Sequence, residues 1–146
     1  MRFTGWRARA LQKESLTPKV EAAIKPALVA LGGEADPVTW IVWGDDPTAR
    51  YTLLALSPAG LIIVAVRVNV PQEGPRTSAK LVRWDRVQTG ELAMDVAGGH
   101  RHVSFQVEGQ IMRGSDTDAD DISAFALEVF AGIDGRPRAR PKGSRS

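Results

Sequence analysis

The side chains able to do chemistry are few in this 146-residue chain, and they gather in three places. His100-Arg101-His102 holds both histidines one residue apart, on one face of any strand that carries them. Two imidazoles need at least a third ligand to hold zinc, and Glu91 or Asp95 across the Gly98-Gly99 pair is the available source. Ser104 and Gln106 continue the same alternation, which is the pattern of a polar outer face. No metal is assigned, and the sequence alone leaves open whether His100 and His102 bind one. The run Asp116-Thr117-Asp118-Ala119-Asp120-Asp121 mimics the start of a calcium loop. Such a loop needs glycine at its sixth position and a bidentate glutamate at its twelfth, where this chain has Asp121 and Leu127. Acids at the start of a helix are favoured by its dipole in any case. Trp6, Trp40, Trp43 and Trp84 are the third set. Packing is their simpler use, and Trp40 and Trp43 have opposite parity, so one faces a core and the other faces out.

No serine, threonine or lysine sits in a recognisable nucleophile setting. The stretches at 32–37 and 97–99 lack the glycine spacing that cradles phosphate. There is no cysteine, which removes disulfides and thiolate metal sites and agrees with a reducing compartment. No catalytic residue and no cofactor is assigned, and the chain is not expected to be an enzyme.

Charge is distributed unevenly. Residues 136–146 carry Arg136, Arg138, Arg140, Lys142 and Arg145 and no acid; residues 1–13 add Arg2, Arg7, Arg9 and Lys13. Residues 14–135 hold ten basic against seventeen acidic side chains. The pI near 9.3 therefore belongs to the ends. A nucleic-acid-binding domain would carry that charge on its body. The first fifteen residues lack the apolar run of a secretory signal. Ser57, Pro58 and Gly60 interrupt the apolar stretch at 51–70, so it is no membrane span of about 20 residues. A cytoplasmic location is the expectation.

The elements that must position these residues follow from periodicity. Thr17 and Pro18 open a helix with Val20, Ile24, Leu28 and Leu31 on one face, Pro26 should kink or divide it, and Gly32-Gly33 should end it. Strands are expected at 38–43, 50–57, 61–70, 80–87, 91–96 and 101–107, with 71–79 a loop. The 50–57 and 61–70 runs should pair through Ser57-Pro58-Ala59-Gly60. Leu92, Met94 and Val96 share a face, as do Val103, Phe105 and Val107. Residues 110–113 either continue that last strand or return from it after Glu108-Gly109. A final helix over 116–133 has Ser115 as its expected N-cap and Asp118 as its capping acid. Ile122, Phe125, Ala126, Val129 and Ile133 line its buried face, and Gly135 closes it. The remainder, 136–146, has no core-forming residue and is expected to be disordered.

Three segments give this order a resemblance. "YTLLALSPAGLIIV", "KLVRWDRVQTGEL" and "ISAFALEVFAGI" resemble the central hairpin, the following strand and the closing helix of the pleckstrin-homology-like (PH-like) domains, bacterial members in particular, over about residues 38–134. The resemblance implies an α+β, mainly β fold: a barrel of about seven antiparallel strands capped by the C-terminal amphipathic helix. Residues 1–33 would be a helical extension, 34–135 the barrel and helix, and 136–146 the basic tail. It further implies a non-enzymatic scaffold that binds a protein or peptide, at a strand edge or beside the last helix. Lipid-binding members carry a basic cluster around the first hairpin loop. Here that loop offers Asp45, Asp46 and Arg50, so phosphoinositide binding is not carried over.

Trp43, Leu127 and Phe130 lie off the main apolar stripes and form the candidate interaction surface, with a homodimer as one use of it. The alternatives are an apolar small molecule inside the barrel, or weak contact of nucleic acid or anionic membrane with Arg136, Arg138, Arg140, Lys142 and Arg145.

Overall fold

Pro58 and Ala59 break an otherwise continuous apolar run, and the chain reverses there. Strands β2 (Arg50–Leu56) and β3 (Gly60–Arg67) pair antiparallel, with Leu56 opposite Leu61 at the turn and Arg50 opposite Arg67 at the far end. Ser57 and Gly60 exchange backbone hydrogen bonds of 2.9 and 3.3 Å, and the Ser57 hydroxyl donates to the Gly60 carbonyl at 3.0 Å. That bond satisfies a polar side chain that is itself buried. The computed structural model describes residues 18–31, 39–45, 50–67 and 76–135. The chain divides into two compact units, 1–82 and 83–146.

In the first unit, β1 (Trp40–Asp45) pairs with β2, and β4 (Arg76–Arg83) lies beyond β3, giving a four-stranded sheet in the order β1-β2-β3-β4. Helix α1 (Pro18–Ala30) packs on β3. Its Ile24 and Leu28, one turn apart, are fully buried against Trp40, Val42, Tyr51, Leu53, Val64 and Val66. The opposite face is apolar too, with Ile41, Leu54, Leu61 and Ile63 all buried. A strand buried on both faces reads as a continuous apolar run instead of an alternation. That accounts for the composition of 53–64.

Several boundaries differ from the sequence reading. α1 runs through Pro26 as one helix and is not divided there. β4 takes residues 76–79, expected as loop, because Thr77 and Leu81 point to the α1 side: Thr77 Oγ1 donates to the Ala23 carbonyl at 3.4 Å, and Leu81 packs on the core. Trp84-Asp85-Arg86 leaves the strand as a single 3-10 turn.

In the second unit, β5 (Thr89–Ala97), β6 (His100–Val107) and β7 (Gln110–Ser115) form a three-stranded antiparallel sheet in that order. Tight turns at Gly98-Gly99 and Glu108-Gly109 use positive φ at all four residues, which matches the twist of the strands they join. Residues 101–113 are therefore a hairpin, not one long strand. Among the described residues, seven strands make two antiparallel sheets and not one closed barrel; these residues are mainly β, with a C-terminal helix.

That helix, α2 (Thr117–Ile133), lies over β6 and β7. Ala119, Ile122, Phe125, Ala126 and Val129 are buried on it, facing Val103, Phe105 and Met112. Phe130 meets Phe105 edge-on, with ring centroids 5.6 Å apart. Ser115 is not its N-cap. Asp116 occupies that position, without a side-chain capping bond, and Ser115 belongs to β7. The reason is close packing at the junction: a Cβ on Gly114 would stand 2.5 Å from the Asp118 Cβ and 3.2 Å from the Ile122 Cδ1. Gly114→Ala should therefore push the first turn of α2 off the sheet and cost about 1–3 kcal/mol in a denaturant melt. An unchanged melt would mean that the junction is loose.

Candidate functional site

The second unit carries two clefts on opposite faces of its sheet. On the helix side the geometry is set by width. A helix with its side chains is about 10 Å across, and strands are spaced by about 4.8 Å, so one helix covers two strands and leaves the third. The uncovered strand is β5. Leu92, Met94 and Val96 do share one face, opposite Phe105, Val103 and Arg101 in register. Leu92 is half-buried, but Met94 is 64% and Val96 73% exposed. Between them and the start of α2 lies a cleft of about 410 Å³, lined by Met94, Val96, Val103, Ala119 and Ser123. Arg101 and Asp120 flank it with a paired guanidinium–carboxylate contact, at 2.6 and 3.2 Å. β5 is also an edge strand of its sheet.

The residues around Asp116 tie the β5–β6 turn to the start of α2. His100 Nδ1 lies 2.8 Å from Asp116 Oδ2, and the Arg101 backbone N–H donates to Oδ1 at 3.3 Å. The hydrogen bond with His100, then that with the Arg101 backbone, holds the Asp116 carboxyl below its ordinary range. The hydrogen bond and charge of Asp120 raise the Arg101 guanidinium. A depressed carboxyl contributes stability above its unfolded-state pKa, near 3.9, and that contribution is lost as pH falls through the folded value. The group is exposed, so the contribution is small. A carboxyl-detected NMR titration should place Asp116 below the usual aspartate value and return it toward that value in His100→Gln. A normal titration in the natural chain would show that the contact is not formed.

On the polar face, Asp95, His102 and Ser115 stand in one row across β5, β6 and β7. Ser104 and Arg113 form the next row, and together they line a cleft of about 450 Å³. The Ser115 hydroxyl and His102 Nδ1 are 2.7 Å apart. A hydrolytic triad would need an acid bonded to the second ring nitrogen and donors for an oxyanion. His102 donates no hydrogen bond to Asp95 among the described residues. Nor do any three His, Asp or Glu side chains among the described residues converge as a metal site requires.

The residues named from sequence are dispersed. Trp40 is buried in the α1-side core, and Trp43 is half-buried on the opposite face of the same sheet. Leu127 is 65% exposed on α2, whereas Phe130 is half-buried against Phe105. Arg136, Arg138, Arg140, Lys142 and Arg145 lie outside the described residues. No helix among the described residues is long and apolar enough to cross a membrane. The uncovered Met94–Val96 strip was missed. Its signal was the count of strands: three in one layer against a single helix.

Comparison with protein-family models, with curated proteins and with solved structures finds no significant match.

Proposed function

We propose that this chain is a non-enzymatic, cytoplasmic interaction domain of PH-like construction that binds an extended protein segment along β5. The observation that carries the reading is the exposed Met94–Val96 pair on an edge strand, beside a cleft bounded by the start of α2. An added strand would bond to the open β5 backbone, and alternate side chains would enter the cleft against Met94, Val103 and Ala119. Two of the other strand edges fit less well. β4 presents Arg76 and Lys80, charges of the kind that discourage pairing. β7 is crowded at Gly114 by the start of α2. Support for the PH-like construction comes from the element order, four strands, then three, then one amphipathic helix.

The test is to pan a random displayed peptide library on the full chain and map the selected peptides by amide shifts. The expected peptides alternate apolar residues and perturb residues 92–97, 101–103 and 119–123. Met94→Asp with Val96→Asp should weaken them at least about tenfold, since two apolar contacts of about 1–2 kcal/mol are lost. Selected peptides that shift other residues, or that bind the double variant equally well, would refute the reading. Light scattering that shows a dimer dissolved by the same double variant would assign the strip to a second copy and replace the peptide reading.

A further inference from the structure

The polar face of the three-stranded sheet, turned away from α2, has tall charged rims and a low floor. Asp95 on β5 and Arg113 on β7 are both exposed and stand on the two outer strands, one row apart. Ala93 and Ser104, small and half-buried, share the row of Arg113. His102, half-buried, and Ser115 share the row of Asp95. These six residues line the cleft of about 450 Å³. Two strand spacings, about 9.6 Å, separate the β5 and β7 backbones. Among the described residues, which include all of 83–135, Asp95 and Arg113 make no ion pair or side-chain hydrogen bond with each other or with any third group. The Ser115 hydroxyl, 2.7 Å from His102 Nδ1, holds the ring and leaves Nε2 for a further partner.

We infer that this cleft binds a small zwitterion, its carboxylate held by Arg113 and Ser104 and its ammonium group by Asp95. The guanidinium presents a planar fork of donors that matches a carboxylate, whereas an ionised aspartate only accepts. With Ser115 donating to Nδ1, the His102 Nε2 carries the ring proton and donates to the same carboxylate. A ligand with opposite charges at its two ends engages both rims and leaves no net charge in the cleft. A lone carboxylate would meet Asp95 as a like charge, and a lone amine would meet Arg113 so, which selects against both. In the sequence, His102, Ser104 and Gln106 read as a plain outer face; the Glu108-Gly109 turn brings Arg113 back beside Ser104 and gives that face its second charge. Asp95 lies between Met94 and Val96 but on the opposite face of β5, so this site is independent of the apolar strip and stands if that strip proves empty.

The test titrates the full chain with glycine, β-alanine and γ-aminobutyrate, whose charged ends are progressively further apart. Acetate and methylammonium, with one charge each, are the controls at equal pH and ionic strength. Amide and arginine Nε resonances are followed. Saturating shifts are expected at Ala93, Asp95, His102, Ser104, Arg113 and Ser115. At least one zwitterion should bind at least about fivefold tighter than either control, as a second charged hydrogen-bonding contact allows. The spacing that binds best assigns the ligand: glycine an α-amino acid, γ-aminobutyrate a longer chain with separated ends. Asp95→Asn should abolish the preference for the zwitterion over acetate while acetate binding is kept or strengthened. Arg113→Gln should abolish the preference over methylammonium. Both substitutions are exposed, and the free-state melts should not move. Acetate binding as tightly as every zwitterion, preferences unchanged in both variants, or no saturating shift on this face would overturn the inference.

Discussion

Phe105→Ala is expected to lower the stability of the chain by about 3–5 kcal/mol in equilibrium urea unfolding. The side chain is fully buried at the centre of the three-stranded sheet. It stands opposite Met112 on β7 and Leu92 on β5, under the edge-on ring of Phe130. Truncation removes the transfer energy of the ring, opens a cavity that the β6 backbone cannot collapse to fill, and forfeits an aromatic contact of about 0.5–1.5 kcal/mol. Phe125→Ala, from the facing helix, should cost a similar amount, since Phe125 is only 2% exposed. The two losses should not add, because the side chains belong to one packed layer. A change within about 1 kcal/mol for either variant would mean that α2 does not seal this sheet.

Trp40→Ala should cost about as much, roughly 3–5 kcal/mol, and Trp43→Ala far less, roughly 1 kcal/mol. The two tryptophans stand three positions apart on β1, with two residues between them, so they face opposite ways. Trp40 enters the core beneath Ile24 and Leu28 of α1, opposite Ala55, where the small partner makes room for the indole. Trp43 sits one residue from the end of the core, opposite Thr52, and keeps part of its ring in water. Parallel urea melts of the two variants measure the contrast. Equal losses would mean that both faces are sealed equally at that position.

Much of this was legible in the sequence because it depended on local chemistry. Ser57-Pro58-Ala59-Gly60 announces a reversal between apolar runs, and the register follows from it: Arg50 and Arg67 stand equally far from the turn. Their pairing thus follows from the position of the turn. Gly98, Gly99 and Gly109 readily take the positive φ that their turns require, and Glu108 adopts it beside Gly109. What was hidden depended on layers. The alternation of Leu92, Met94 and Val96 tells which residues share a face, but not that α2 stops short of β5. The strand character of Arg76-Thr77-Ser78-Ala79 was masked by polar composition, since it comes from pairing beside β3. Ser115 looked like a cap because it precedes an acidic turn, yet Gly114 lets β7 run directly into α2 and turns the hydroxyl toward His102. Pro26 reads as a helix breaker, but α1 continues through it, with Ile24 and Leu28 on either side fully buried.

Hydrogen exchange of the β5 amides, measured on the full chain with and without a peptide selected against it, tests the central claim most directly. In the free chain, the β5 amides that point away from β6 should exchange quickly, as amides on a free strand edge do. With peptide bound, those alternate amides within residues 89–97 should slow by at least about tenfold, while the polar-face cleft at Arg113 and Ser115 stays unchanged. Protection of those amides already present in the free chain, or none gained on binding, would contradict the assignment of β5 as the docking edge.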